Sequence, residues 1–374
     1  MLLHSIGEGT NLKTKKLILI SLLALGALIL SACSGRSTVA NSWHGLAADA
    51  DRAYVSAGSF IYAVDLKNGS EVWRYPAKAD TALLYFANPV LTSDGQLLIG
   101  SAGKNHDFIS LDSATGKEKW AKSFSDAGGA WVASPLVLND KIYAPNADGF
   151  LYTLDMSGVQ AAEPLEIGGA LWSAPSTDGT FIYLSSLDHF LHVIDPSNNT
   201  VLEEVDLGGA IPGSPAVTSD GSYSSSLAST IEFVKSNGEH SVIAATESRV
   251  WGSPVIDNGT LYYADLDGKV FSIDLASGKQ NWAVQPNGPV VASLLVVGDQ
   301  IYVACEADPS SKLGTLIALD RDGKTVWPKE VGGKLYTTPV VSGDLIIVAP
   351  YLADITLAAY DADGKQAWTF TPAK

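Results

Sequence analysis

Leu136-Val137-Leu138-Asn139-Asp140-Lys141-Ile142-Tyr143-Ala144-Pro145-Asn146-Ala147-Asp148-Gly149-Phe150-Leu151-Tyr152-Thr153-Leu154-Asp155 contains three short strand patterns and two turns. The first apolar run starts at Ala133-Ser134-Pro135 and stops at Asn139-Asp140. Lys141–Ala144 forms a second. Ala147-Asp148-Gly149 is a hairpin turn of the Asp-Gly type. Phe150–Asp155 forms a third, and Ser157-Gly158 turns the chain toward a fourth, outer strand. The middle strands are apolar at consecutive positions, so both of their faces must be covered.

The Asp155 that ends this unit recurs. Equivalent anchors are Asp65, Asp112, Asp155, Asp195, Lys235, Asp274, Asp320 and Asp361, at intervals of 47, 43, 40, 40, 39, 46 and 41 residues. Four short strands per period of about 40 residues describe the blade of a β-propeller. The expectation is an all-β chain: a single eight-bladed propeller of four-stranded antiparallel blades spanning residues 43–371. Seven blades follow if the poor repeat around Lys235 is misread. Each unit owns its four strands in order, so no strand exchange between the termini is evident.

A second signature follows the anchor. Gly69 to Trp73 recurs as Gly116 to Trp120, Gly278 to Trp282, Gly323 to Trp327 and Gly364 to Trp368. The glycine permits the positive φ of the turn, and the tryptophan lies on the outer strand, placed to dock between blades. The repeats anchored at Asp155, Asp195 and Lys235 lack it. This Asp-turn-Gly-x-x-x-Trp pattern resembles the pyrroloquinoline quinone (PQQ) type propeller repeat. The resemblance implies the fold and predicts no cofactor for this chain.

The start reads as an export signal. Lys13, Lys15 and Lys16 precede an apolar run from Leu17 to Leu30, followed by Ser31-Ala32-Cys33. The run is shorter than the roughly 20 residues of a spanning helix. Leu30-Ser31-Ala32-Cys33 resembles a bacterial lipobox, which implies a signal peptide over 1–32, lipidation of Cys33, and a tether over 33–42. Several acyl chains give stable anchoring where one is marginal. Residues 1–11 add little to a signal, which points to translation from Leu12. Ser34 rather than Asp after the lipid-bearing cysteine favours an outer membrane, where the envelope has one, by the sorting rule of such lipoproteins.

The chain carries a net charge of −16; residues 1–32 contribute +2, leaving −18 on the remainder. That field repels nucleic acid and anionic headgroups, so nucleic acid is not an expected partner and membrane contact is expected through the anchor alone. Only two cysteines occur. With Cys33 lipidated, Cys305 has no partner, and its apolar surroundings predict a buried, inert thiol.

Candidate binding residues lie before the innermost strands. These strands open with small-residue-Pro pairs: Asn88-Pro89, Ser134-Pro135, Ala174-Pro175, Ser214-Pro215, Ser253-Pro254 and Thr338-Pro339. Large residues precede them: Tyr85 and Phe86, Trp131, Trp172, Trp251 and Tyr336, with Trp43 in the equivalent place of the first blade. Such loops enter the central channel from one face. Either these aromatics ring its mouth as a ligand or partner surface, or each plugs the gap between adjacent blades.

Catalytic patterns are missing. His189 and His192 are three apart on one predicted strand, hence on opposite faces. The Asp-x-Asp-Gly runs at 265–268, 320–323 and 361–364 echo a calcium loop but lack its full spacing and closing Glu, so they read as turns. No Gly-x-Ser-x-Gly, His-Glu-x-x-His or phosphate-cradling glycine loop occurs. Lipobox, size, eight repeats and this lack of motifs resemble the family of the outer-membrane assembly lipoprotein BamB. The resemblance implies a non-enzymatic, membrane-anchored, extracytoplasmic scaffold for an envelope protein, with no cofactor or metal. The alternatives are a receptor for a sugar or small ligand at the channel mouth and, further off, a PQQ-dependent dehydrogenase. The dehydrogenases that share the repeat commonly use adjacent cysteines by the quinone and calcium ligands on several blades, and this chain has no adjacent cysteines.

Overall fold

Thirty-one strands and no helix make up the described residues of the computed structural model, which are 43–286, 288–307 and 313–373. Cys33, the signal segment and the Met1 or Leu12 start lie outside them. The strands group into eight antiparallel sheets in sequence order, each sheet one blade. Blade 1 comprises Gly45–Ala48, Arg52–Ala57, Phe60–Asp65 and Glu71–Tyr75. Blade 8 comprises Val340–Ser342, Leu345–Val348, Leu357–Tyr360 and Gln366–Phe370. Lys235 does follow the third strand of a blade. Thr230–Val234 pairs on both sides within blade 5, so the count is eight and not seven. Blade 2 departs from the pattern: its outer strand is reduced to the isolated pairings Leu111 with Glu118 and Phe108 with Phe124.

The core is divided among the junctions. Eight apolar clusters form among the described residues, one between each adjacent pair of blades. This is why the middle strands are apolar on both faces. Ile182 and Leu184 of blade 4 turn toward blade 3, while Tyr183 between them turns toward blade 5.

The repeat tryptophans bridge these junctions. Each donates its indole N–H to the carbonyl of the residue just after the next blade's anchor. The pairs are Trp73 to Ser113 at 3.0 Å, Trp120 to Met156 at 2.9 Å, Trp282 to Arg321 at 2.8 Å and Trp327 to Ala362 at 2.8 Å. Trp368 does the same across the ends of the propeller, donating to Leu66 at 2.7 Å. The ring therefore closes without strand exchange, by the same contact that joins its other blades. Blade 8 and blade 1 also share an apolar cluster containing Leu46, Val55, Ile347 and Trp368.

The turn glycine has a second duty. A Cβ on Gly158 would lie 2.4 Å from the ring of Trp120, so the glycine forms the seat for the preceding blade's indole. Where no tryptophan arrives, the requirement relaxes. Blade 4 follows a blade without the signature, and its turn holds Asn199 at a φ of 52°. Asparagine tolerates that conformation but would not leave room for an indole.

Candidate functional site: the aromatic mouth of the channel

The small-residue-Pro pairs line the innermost strands for a geometric reason. Proline keeps the preceding residue extended, and a short polar side chain there reaches the neighbouring blade. Ala174 N donates to Ser214 Oγ (2.9 Å), Ser214 N to Ser253 Oγ (2.8 Å), Ser253 N to Ser293 Oγ (2.9 Å) and Ser293 N to Thr338 Oγ1 (3.1 Å). The series continues with Thr337 Oγ1 donating to the His44 carbonyl, Leu46 N to Asn88 Oδ1 (2.9 Å), and Ser134 Oγ to the Asn88 carbonyl (2.9 Å). Ser293 precedes Leu294 rather than a proline, so the pair pattern passed over it. Its hydroxyl, 40 residues after Ser253, was the available signal.

Two successive residues before each such pair alternate inward and outward. This divides the seven candidate aromatics. Tyr85 and Trp131 take the inward position and are 1% and 0% exposed, packed in the blade 1/2 and blade 2/3 cores. Phe86, Trp172, Trp251 and Tyr336 take the outward position and are partly exposed, as is Trp43. Trp43 stands 4.8 Å from Phe86 and 6.3 Å from Trp172 between ring centroids. Blades 1 and 4 stand three places apart in the eight-bladed ring, so the Trp43–Trp172 contact reaches across the channel mouth.

Tyr336 belongs to a separate group beside it. Its hydroxyl donates to Glu306 Oε1 at 2.9 Å, and Lys334 Nζ reaches the same oxygen at 2.7 Å. Glu306 and Tyr336 hold the Lys334 ammonium above its usual range, and burial raises the Tyr336 phenol. The ring of Tyr351 lies 6.0 Å from that of Tyr336. Next to it, Leu352 is 69% exposed at a φ of 56°. A branched apolar side chain held outward in the left-handed region is unusual, and it adjoins the aromatic group.

The remaining sequence candidates are accounted for by local structure. His189 lies in the turn before Phe190–Asp195, at a φ of 85°, rather than on the strand with His192. The Asp-x-Asp-Gly carboxylates cap their own turns: Asp320 Oδ1 accepts from Asp322 N at 3.0 Å and Lys324 N at 2.8 Å, and Asp265 and Asp361 do likewise. Cys305 is buried, and burial pushes its thiol up to about 12. Among the described residues, no three His, Cys, Asp or Glu side chains converge as a metal site would require.

His44, beneath the mouth, and His192, 1% exposed at the blade 3/4 junction, fold as neutral rings. Burial lowers His44 to about 4 against a raising backbone contact at Pro350. Burial lowers His192 against Asp188 and Glu204, and neither of its ring nitrogens has a hydrogen-bond partner. In the unfolded chain each takes a proton below about pH 6.5. The unfolded state then binds more protons, so stability is full above that pH and declines as the pH falls toward 4. We expect the unfolding midpoint to fall between pH 6.5 and 4.5, a range above the ordinary Asp titrations, and His192→Leu to flatten that decline. A midpoint unchanged across the range would contradict it.

A family model described as outer membrane protein assembly factor BamB matches residues 30–163, 235–313 and 309–373, more than half of the chain. The chain is 28% identical over 118 residues to the outer membrane protein assembly factor BamB of Nitrosomonas eutropha, 31% of this chain and 27% of that protein. It is also 31% identical over 140 residues to the quinohemoprotein alcohol dehydrogenase ADH IIB of Pseudomonas putida, 32% of this chain and 19% of that enzyme. The matched stretch thus spans about a quarter of the first relative's length. Among solved structures, BamB from Moraxella catarrhalis aligns with a TM-score of 0.62 at 19% identity, over 85% of this chain and 91% of the other. The computationally designed protein Ika8 aligns with a TM-score of 0.70 at 15% identity, over 86% and 96%. At these identities the structural likeness concerns the fold.

Proposed function

The chain belongs to the BamB family of outer membrane protein assembly factors, and from that premise we propose that it is a non-catalytic scaffold that binds an envelope protein through its channel mouth. In this reading Cys33 carries the lipid that holds the propeller on the outer side of a membrane. The observation that carries the proposal is the make-up of the mouth. Trp43, Phe86 and Trp172 form one aromatic group, Tyr336 and Tyr351 a second with the Lys334–Glu306 pair, and Leu352 projects beside it. Clustered Trp and Tyr side chains are the composition of protein-binding hot spots, and a charged pair beside them suits the polar rim of such an interface. The bridge between Trp43 and Trp172 disfavours a ligand seated in the channel itself.

The dehydrogenase relative raises the question of a quinone. The residues at the mouth do not fit one held as in enzymes with adjacent cysteines: the chain has no such pair, and Cys305 is buried in the blade 6/7 core. We therefore derive no reaction step. The test is co-purification from solubilised envelopes. Replacing the partly exposed side chains in a Trp172→Ala, Tyr336→Ala, Leu352→Asp variant is expected to lower recovery of a specific envelope protein at least about tenfold, with the unfolding midpoint kept. Undiminished recovery would reject the mouth as the docking surface.

A further inference from the structure

The charge of this chain is concentrated in one sector of the ring. Residues 123–248, which hold blades 3, 4 and 5, carry 16 Asp or Glu and 2 Lys or Arg, a net of −14; all the other residues together carry −2. One of the two cations, Lys235, is already held by Glu239 at 2.5 Å. These are also the three blades without a repeat tryptophan. Each exposes an apolar side chain on its outer segment: Val159 at 62%, Leu202 at 45% and Val242 at 58%.

Blade 4 has the most open edge. Its outer strand, Thr200–Asp206, is the longest outer strand among the described residues, and it pairs with Phe190–Asp195 on one side only. Beyond the bulge opposite Val193 and Ile194, Glu203–Asp206 keeps a regular register. Its other side is a row of backbone donors and acceptors that a further strand could meet. Other outer strands are blunted: by Pro328 and Lys329 in blade 7, by Arg74 and then Pro76 in blade 1, and by Lys279 in blade 6. Thr200–Asp206 holds no Lys, Arg or Pro, and its exposed residues are Thr200, Leu202, Glu204 and Asp206, at every second position. Acidic groups flank it from both neighbours. Asn199 Nδ2 donates to the Glu163 carbonyl of blade 3 at 2.9 Å, and the Glu203 carboxylate lies over Gly238 of blade 5, next to Glu239. Glu166 opposes Phe150 as Asp206 opposes the equivalent Phe190 one blade on. Among the described residues, no cation pairs with Glu163, Glu166, Glu204 or Asp206.

We propose that the outer edge of blade 4 docks an extended, Lys- or Arg-rich segment of a partner protein, which adds to the sheet as a fifth strand. Strand addition supplies main-chain hydrogen bonds, and the side chains at alternate positions set the choice of partner. Cations opposite or diagonal to Glu204 and Asp206 gain cross-strand pairs, and an apolar residue of the segment covers Leu202. The same acidic row rejects the matching edge of a second copy, because like charges directly opposite are destabilising. It thereby guards the edge against self-pairing, as Lys and Pro guard the others. The surface lies on the outer circumference of the ring, away from the mouth, and stands or falls independently of the scaffold function.

The test uses the full chain in detergent and a fluorescent heptapeptide of alternating lysine and valine, read by anisotropy at physiological ionic strength. The controls are a glutamate-valine heptapeptide and the lysine-valine heptapeptide N-methylated at every residue, which keeps the charge and loses the backbone donors. We expect saturable binding of the lysine-valine peptide, at least about tenfold weaker for either control, with slowed amide exchange in Thr200–Asp206. The double variant Glu204→Lys, Asp206→Lys is expected to lower the affinity at least about tenfold with the unfolding midpoint kept. Glu330→Lys, on the outer strand of blade 7, is expected to leave it unchanged. No saturable binding, or binding undiminished in the double variant, would overturn the proposal. So would equal binding of the N-methylated peptide or an equal loss in Glu330→Lys, either of which would make the sector an unselective polyanion surface.

Discussion

Trp368→Ala will destabilise the propeller by about 3–5 kcal/mol, the range for truncating a large aromatic in a packed core. Trp368 is buried in the blade 8/1 cluster, and its indole N–H holds the Leu66 carbonyl across the only junction whose two blades are not consecutive in sequence. Every other junction keeps a short covalent link between its blades after such a loss, whereas this one is held by side-chain contacts alone. Truncation leaves a cavity and an unpaired carbonyl, and the blades beside it can then part. Chemical denaturation should show the loss, together with raised amide exchange in Gly45–Ala48 and Gln366–Phe370. Trp327→Ala, at a chain-linked junction with a more exposed ring, should cost less. Equal losses for the two would argue that the seam between blades 8 and 1 is no special point.

Gly158→Ala should cost about 2–5 kcal/mol, combining the left-handed backbone penalty with overpacking. Gly158 has a φ of 82°, and the added Cβ would come within 2.4 Å of Trp120 Cε3 and 2.5 Å of Cδ2. The indole is fixed by its hydrogen bonds to Met156 and Gln96 and cannot retreat. Gly278→Ala supplies the control. It has a φ of 68° but follows blade 5, which has no tryptophan, and nothing lies within 4 Å of its added Cβ. Only the backbone term of about 1 kcal/mol remains there, offset in part by the lower entropy of the unfolded chain. The difference between the two variants, read from denaturation midpoints, measures the seat for the indole separately from the turn. Equal costs would show that the glycine is needed for its φ alone.

The number of blades and the junction role of the tryptophans could be read because both follow from local patterns. The anchor ends a strand, the turn fixes the next, and a large aromatic three residues on must find cover. Ring closure was not legible. Trp368 looks like the other repeat tryptophans in sequence, and that its seat is at Gly69 emerges only when residues 299 and more positions apart are brought together. The mouth was half legible for a different reason. Aromatic character marks Tyr85, Phe86, Trp131 and Trp172 alike, but a shift of one residue in the loop decides between the interblade core and the channel.

The central claim is that the mouth of this propeller docks an envelope protein. Photo-crosslinking in the native envelope tests it most directly, with a photoreactive residue placed at Trp172 or Trp251 on the mouth, and at Val326 on the exposed outer strand of blade 7 as the control. The account predicts one discrete protein adduct from the two mouth positions and none from Val326. No adduct from the mouth, or the same adduct from Val326, would contradict it.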